Sequence, residues 1–134
     1  KTPSIKIFRF AEEEKNGKIK MDYANIAGYP SSTVAYTTTH DTETLIGYLE
    51  ILSSEQKRKL SAISGITYTQ DIEEFAKRIR SSLLLSPARI VIIPMQDWLL
   101  TKDRINVPGT ERELDDPNWR YRLKIPIEKL PTSF

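Results

Sequence analysis

The run Ala88-Arg89-Ile90-Val91-Ile92-Ile93-Pro94 constrains the fold of this chain more than any other stretch. Four successive β-branched residues lose side-chain freedom in a helix and fit a pleated surface. An unbroken apolar run, in contrast to an alternating one, predicts a parallel strand covered on both faces. Parallel strands need long crossovers, usually helical. The residues upstream supply them, so an α/β architecture is expected.

Two earlier segments read as its partners. Ile5-Lys6-Ile7-Phe8-Arg9-Phe10 predicts a strand over residues 5–10 with Phe10 at its carboxyl end, and Val34-Ala35-Tyr36-Thr37-Thr38 predicts a second over 34–38. Between them the charged stretch from Glu12 to Lys18, with its acidic run on a solvated face, and the polar residues up to Ser32 read as one long loop. Asp41 or Thr42 can cap a helix whose Leu45, Ile46, Leu49 and Leu52 share one face. Ser53 and Gln56 have capping-box spacing for a second helix, which Gly65 ends. Thr69 is placed to cap a third, with Ile72, Phe75, Ala76, Ile79 and Leu83 along one stripe until Pro87 stops it. The order strand, long loop, strand, helices, strand, polar loops predicts parallel strands with helical crossovers.

At 134 residues the chain is one domain's worth of material, well short of the roughly 250 residues of a complete (β/α)8 barrel. Lys and Arg number 20 against 18 Asp and Glu, interspersed, so the net charge of +2 argues against nucleic acid and against an anionic membrane as partners. There is no cysteine and a single histidine, which excludes disulfides and thiolate chemistry, leaves only oxygen ligands for a metal, and fits a cytoplasmic protein. No calcium loop, phosphate-binding Gly-rich loop or Gly-x-Ser-x-Gly elbow is present, so neither metal nor cofactor is expected. The first residue is Lys1 and the opening residues lack a signal-type apolar core, which reads as a fragment or a trimmed chain.

Two clusters of polar groups follow predicted strands, the place where α/β proteins gather their chemistry. His40-Asp41 pairs an imidazole with a carboxylate that can bond a sugar hydroxyl or stabilise developing positive charge. A helix-capping aspartate with a neighbouring histidine explains the dipeptide alone at least as well. Gln96-Asp97-Trp98 offers an amide, a carboxylate and a flat ring suited to gripping a carbohydrate, and is equally compatible with a helix cap beside a core tryptophan. Asn106, Asn118, Trp119, Arg120, Tyr121 and Arg122 form either a second gripping surface or an irregular tail pinned by Trp119.

Taken together, Tyr-Pro-Ser-Ser-Thr-Val-Ala-Tyr-Thr-Thr-Thr-His-Asp-Thr-Glu-Thr at 29–44, Leu-Leu-Ser-Pro-Ala-Arg-Ile-Val-Ile-Ile-Pro-Met-Gln-Asp-Trp-Leu at 84–99, and Arg-Ile-Asn-Val-Pro-Gly-Thr followed by Asn-Trp-Arg-Tyr-Arg within 104–122 resemble, in order and spacing, the C-terminal part of the 4-alpha-glucanotransferase (amylomaltase, disproportionating enzyme) family. The resemblance implies that residues 1–134 are a C-terminal fragment of a glycosidase-type catalytic domain, the last three strand-helix units of a (β/α)8 barrel. The family's reaction passes an α-1,4-glucan segment to a maltooligosaccharide acceptor with retention, through a covalent glycosyl intermediate. By that resemblance Asp41 matches the third carboxylate, which steadies the transition state, and His40 contacts the same sugar. Gln96, Asp97, Trp98 and Asn106 are carried as substrate-binding, and nothing in the chain matches the nucleophile or the acid/base. Thr42 stands where family members carry Asn, and Gly47-Tyr48 where a Trp is common. The chain by itself is thus expected to be inactive, the alternative being a non-catalytic glucan-binding or assembly module on the same scaffold. Three strands cut from a barrel leave two open edges and an apolar face, which predicts self-association or docking with the remainder of the barrel.

Overall fold

The computed structural model describes residues 2–13, 18–110 and 118–130. The first strand, β1 (Ser4–Ile7), is shorter than expected, because the chain coils at Phe8–Ala11 into a 3-10 turn. A continuing strand would send Phe8 and Arg9 to opposite faces. The turn buries both, and Arg9 N–H still bonds the Thr37 carbonyl at 2.9 Å. The stretch read as one long loop is likewise structured. β2 (Glu12–Glu13) pairs antiparallel with β3 (Lys18–Ile19), and α1 (Met21–Ala24) and a 3-10 turn at Ile26–Gly28 follow. Ala24, Ile26 and Tyr29, isolated among polar neighbours in sequence, anchor it by entering the core. Glu12 is half-buried and accepts from Gln56 Nε2, so the acidic run is not wholly a solvated face; Glu14 lies outside the described residues.

β4 (Thr33–Tyr36) leads to α2 (Leu45–Ile51), whose cap is Thr44, accepting from Gly47 N–H at 3.3 Å, and not Asp41 or Thr42. The helix therefore starts later, and residues 39–44 are freed to form a loop. Thr42 Oγ1 closes that loop by accepting from Thr39 N–H at 3.1 Å. The apolar face reads as expected, with Leu45, Ile46, Leu49 and Leu52 all buried. α3 (Ser54–Ser64) carries the full capping box, Ser53 N–H to Gln56 Oε1 at 2.7 Å and Gln56 N–H to Ser53 Oγ at 3.2 Å. It ends at Gly65, whose φ of +70° suits a residue without a Cβ. α4 (Ile72–Leu84) is capped by Asp71, with Thr69 supporting the cap residue instead: Thr69 Oγ1 accepts from Asp71 N–H at 3.2 Å. Its stripe of Phe75, Ala76, Ile79 and Leu83 is completely buried. β5 (Ile90–Ile92) and the short α5 (Met95–Trp98) complete the elements that carry the site.

β1, β4 and β5 form one parallel sheet in that order, with Ile5, Val34 and Ile90 in register, and likewise Ile7, Tyr36 and Ile92. Pleating divides the strands between two faces. Thr33 and Ala35 point into the core with the residues of α2 and α4. The opposite face is open: Ile5, Ile90 and Ile92 are 62, 49 and 42% exposed. The expectation that the 88–94 run is covered on both faces is thus corrected. β5 is an edge strand of this sheet, and no described element packs over its second face.

Candidate active site at the carboxyl ends of the strands

The strands deliver their polar groups to one end. There, on the open side of the sheet, a cavity of about 450 Å³ has Ile7, Tyr36 and Ile92 among its apolar walls and Thr38, His40, Thr42 and Gln96 among its polar ones. The loop between β4 and α2 runs along it. His40 and Asp41 are half-exposed on this loop, with His40 Nε2 3.3 Å from Asp41 Oδ1. Asn106, from the segment after α5, donates its side-chain amide to the same Asp41 oxygen at 2.7 Å. Two groups 65 residues apart therefore meet at one carboxylate. Arg104 donates to the Asp41 backbone carbonyl at 2.9 Å.

The expected carbohydrate-gripping trio separates into three environments. Gln96 is buried and contributes to the cavity wall. Asp97 is fully buried, and both of its oxygens are engaged: Oδ2 accepts the hydroxyls of Thr37 and Thr38 at 2.5 and 2.6 Å, and Oδ1 accepts Leu45 N–H at 2.7 Å. It faces the protein interior, so the substrate-binding role given to it from sequence is replaced by an internal one. Burial pushes its carboxyl above the ordinary range, against the pull of these donors and of Arg80. Trp98 is half-buried with the Arg80 guanidinium 4.8 Å from its ring. Its ring is not among the residues lining the cavity.

Sequence reasoning missed a network that fixes the loop from its other side. Glu43 accepts from Arg9 Nε at 2.7 Å and lies 3.8 Å from Arg104. Partial burial pushes its carboxyl up, but the Arg9 hydrogen bond and the two guanidinium charges prevail and hold it below the usual carboxylate range. Arg9 also lies 4.6 Å from the Tyr48 ring centroid, so this tyrosine serves as a buried platform for it. The signal was available in sequence as an arginine inside an apolar run.

The tail folds back onto the same end. Val107 N–H donates to Asn118 Oδ1 at 2.7 Å, Trp119 N–H to the Ile105 carbonyl at 2.9 Å, and the Trp119 ring lies 5.2 Å from that of His40. Trp119 does this with a φ of +62°, a conformation bulky residues seldom adopt, while its side chain stays 65% exposed. The neighbouring residues 111–117, including Asp116 and Pro117, lie outside the described residues. Among the described residues no group of three or more His, Asp or Glu side chains could hold a metal ion, and no helix is long and apolar enough to cross a membrane.

The chain is 32% identical over 123 residues to a 4-alpha-glucanotransferase of Synechocystis sp., covering 89% of this chain and 22% of that protein. It is 29% identical over 136 residues to a 4-alpha-glucanotransferase of Thermus thermophilus, covering 96% of this chain and 25% of that one. The amylomaltase from Streptococcus agalactiae in complex with acarbose superposes with a TM-score of 0.68 at 29% identity, over 91% of this chain and 23% of the other. The chain thus spans no more than about a quarter of these relatives. With the 4-alpha-glucanotransferase family profile, glycoside hydrolase family 77, matched over residues 1–128, the chain belongs to that family.

Proposed function

We propose that this chain is the C-terminal portion, residues 1–134, of a (β/α)8 4-alpha-glucanotransferase domain that moves α-1,4-glucan segments between maltooligosaccharides with retention. β1, β4 and β5 would be its last three strands, and the remaining strands would lie against their open edges and open face. Within that site Asp41 would stabilise the positive charge that develops on the sugar, and His40 would contact the same ring. Gln96 and Asn106 would line the site, Asn106 by orienting Asp41. The nucleophile and acid/base would come from outside this chain, in a cytoplasmic enzyme with no metal.

One observation carries the reading. Asp41 is half-exposed beside the cavity, neither sealed in the core nor left to rotate, because Asn106 from a separate motif holds its Oδ1. A carboxylate fixed in advance where charge develops needs no reorganisation during reaction. Relatives named 4-alpha-glucanotransferase and a relative complexed with acarbose support carbohydrate as the ligand class.

The test uses an enzyme containing this segment in full. Asp41→Asn is expected to lower kcat by about a hundred- to a thousandfold on maltotriose, the effect of losing one electrostatic stabiliser. A change below about tenfold in that assay removes Asp41 from the catalytic set. The 134-residue chain on its own should release no glucose from maltotriose. Turnover by it would overthrow the assignment of the missing carboxylates.

A further inference from the structure

His40 and Asp41 sit on a segment, residues 39–44, that is neither helix nor strand. We propose that Asp97 is the positioning residue that sets the conformation of this loop, and that Arg80 in turn fixes Asp97. Thr37 and Thr38 precede the loop, Leu45 follows it, and one carboxylate takes donors from all three. Both ends of a six-residue segment are thereby pinned to a single point, which leaves it few conformations. Asp97 is fully buried, so water does not compete for these bonds.

The grip would be useless on a mobile support. Asp97 lies on α5, four residues long and too short to be stable by itself. Arg80, on the buried side of α4, donates to the backbone carbonyls of Asp97 and Trp98 at 3.0 and 2.7 Å while lying against the Trp98 ring. The order of support runs from α4 through α5 to the loop. The residue type also follows. Three donors converge on two oxygens, and an asparagine either aims its N–H₂ at the Leu45 amide or, turned the other way, leaves both threonine hydroxyl protons without their acceptor. The bearing of this device on catalysis rests on Asp41 being the acid of the site; its structural content does not.

In an enzyme that contains this segment in full, the assigned imidazole signals of His40 report on the loop by NMR. In Asp97→Asn the His40 signals and the Asn106 side-chain amide, bonded to Asp41, should shift. The Leu45 amide should exchange with solvent about tenfold faster or more, while Tyr68 and Phe75 signals stay in place. Thr38→Val should move the same signals less, and Thr38→Ser, which keeps the hydroxyl, should leave them at their wild-type positions. A folded Asp97→Asn with His40, Asn106 and Leu45 unchanged overturns the proposal. Should that variant not fold, the threonine pair decides: movement with Val and none with Ser supports it, and no movement with Val overturns it. Adding maltotriose to the unsubstituted enzyme separates the two readings. Silence of His40 toward the sugar counts against glucan binding and leaves the positioning role of Asp97 standing.

Discussion

The two faces of the three-stranded sheet are built from the same strands, yet they end in opposite environments. On one, Thr33 and Ala35 have no exposed surface and share a core with Leu45, Leu49, Phe75 and Ile79. On the other, Ile5 is 62% and Ile90 49% exposed, and the cavity beside His40 opens. β-Branched side chains make the strand, but only what lies over them removes their surface from water. Stability should therefore come from the covered face and function from the open one.

The largest test of that division is Phe75→Ala, which empties a fully buried position on α4 and should cost about 3–5 kcal/mol in denaturant unfolding. A loss below about 1 kcal/mol would mean that the covered face is not where the stability resides. Thr44→Ala removes the cap of α2, which packs on the covered face, and should cost about 1 kcal/mol in the same measurement.

Glu43 lies on the loop between β4 and α2, paired with Arg9, and its effect appears with pH. Its folded carboxyl lies below the ordinary range, so its contribution is fully present above the unfolded value and is lost as pH falls through the folded one. Asp97 has the opposite sign: its raised carboxyl binds a proton more readily when folded, so it adds stability as pH falls toward the ordinary carboxylate range. Thermal melts of Glu43→Gln should accordingly lose less stability on acidification than the parent chain. An unchanged acid limb would show that the Arg9 and Arg104 pairings do not hold this loop. The smallest effect should be Ile90→Thr on the open face, within about 0.5 kcal/mol by the same unfolding measurement. A core-sized loss there would erase the contrast between the faces.

Much of the covered side was legible because it rests on local rules. The stripe of α4, the capping box of α3 and the stop at Gly65 each depend on residues a few positions apart. Errors of position arose where two candidates compete for one end, as Thr44 against Asp41 and Asp71 against Thr69. The 12–32 region was read as loop because its anchors, Ala24, Ile26 and Tyr29, are scattered among polar residues and become a pattern only when the core collects them. At the site, His40, Asp41 and Gln96 were each visible as polar residues after strands, and Asn106 as a polar residue of the tail. Whether a given carboxylate stays half-exposed or turns to the interior was not.

Periodicity, capping chemistry and the three family motifs determined by themselves an α/β chain with parallel strands and a polar strand end. Tertiary structure alone decided that Asp41 is held half-exposed by Asn106 while Asp97 is buried under three donors, and that one face of the isoleucine-rich strands stays open. The reason is that side-chain type and spacing act over a few residues, whereas burial and hydrogen-bond partnership depend on groups 52 to 65 positions away, brought together only by packing.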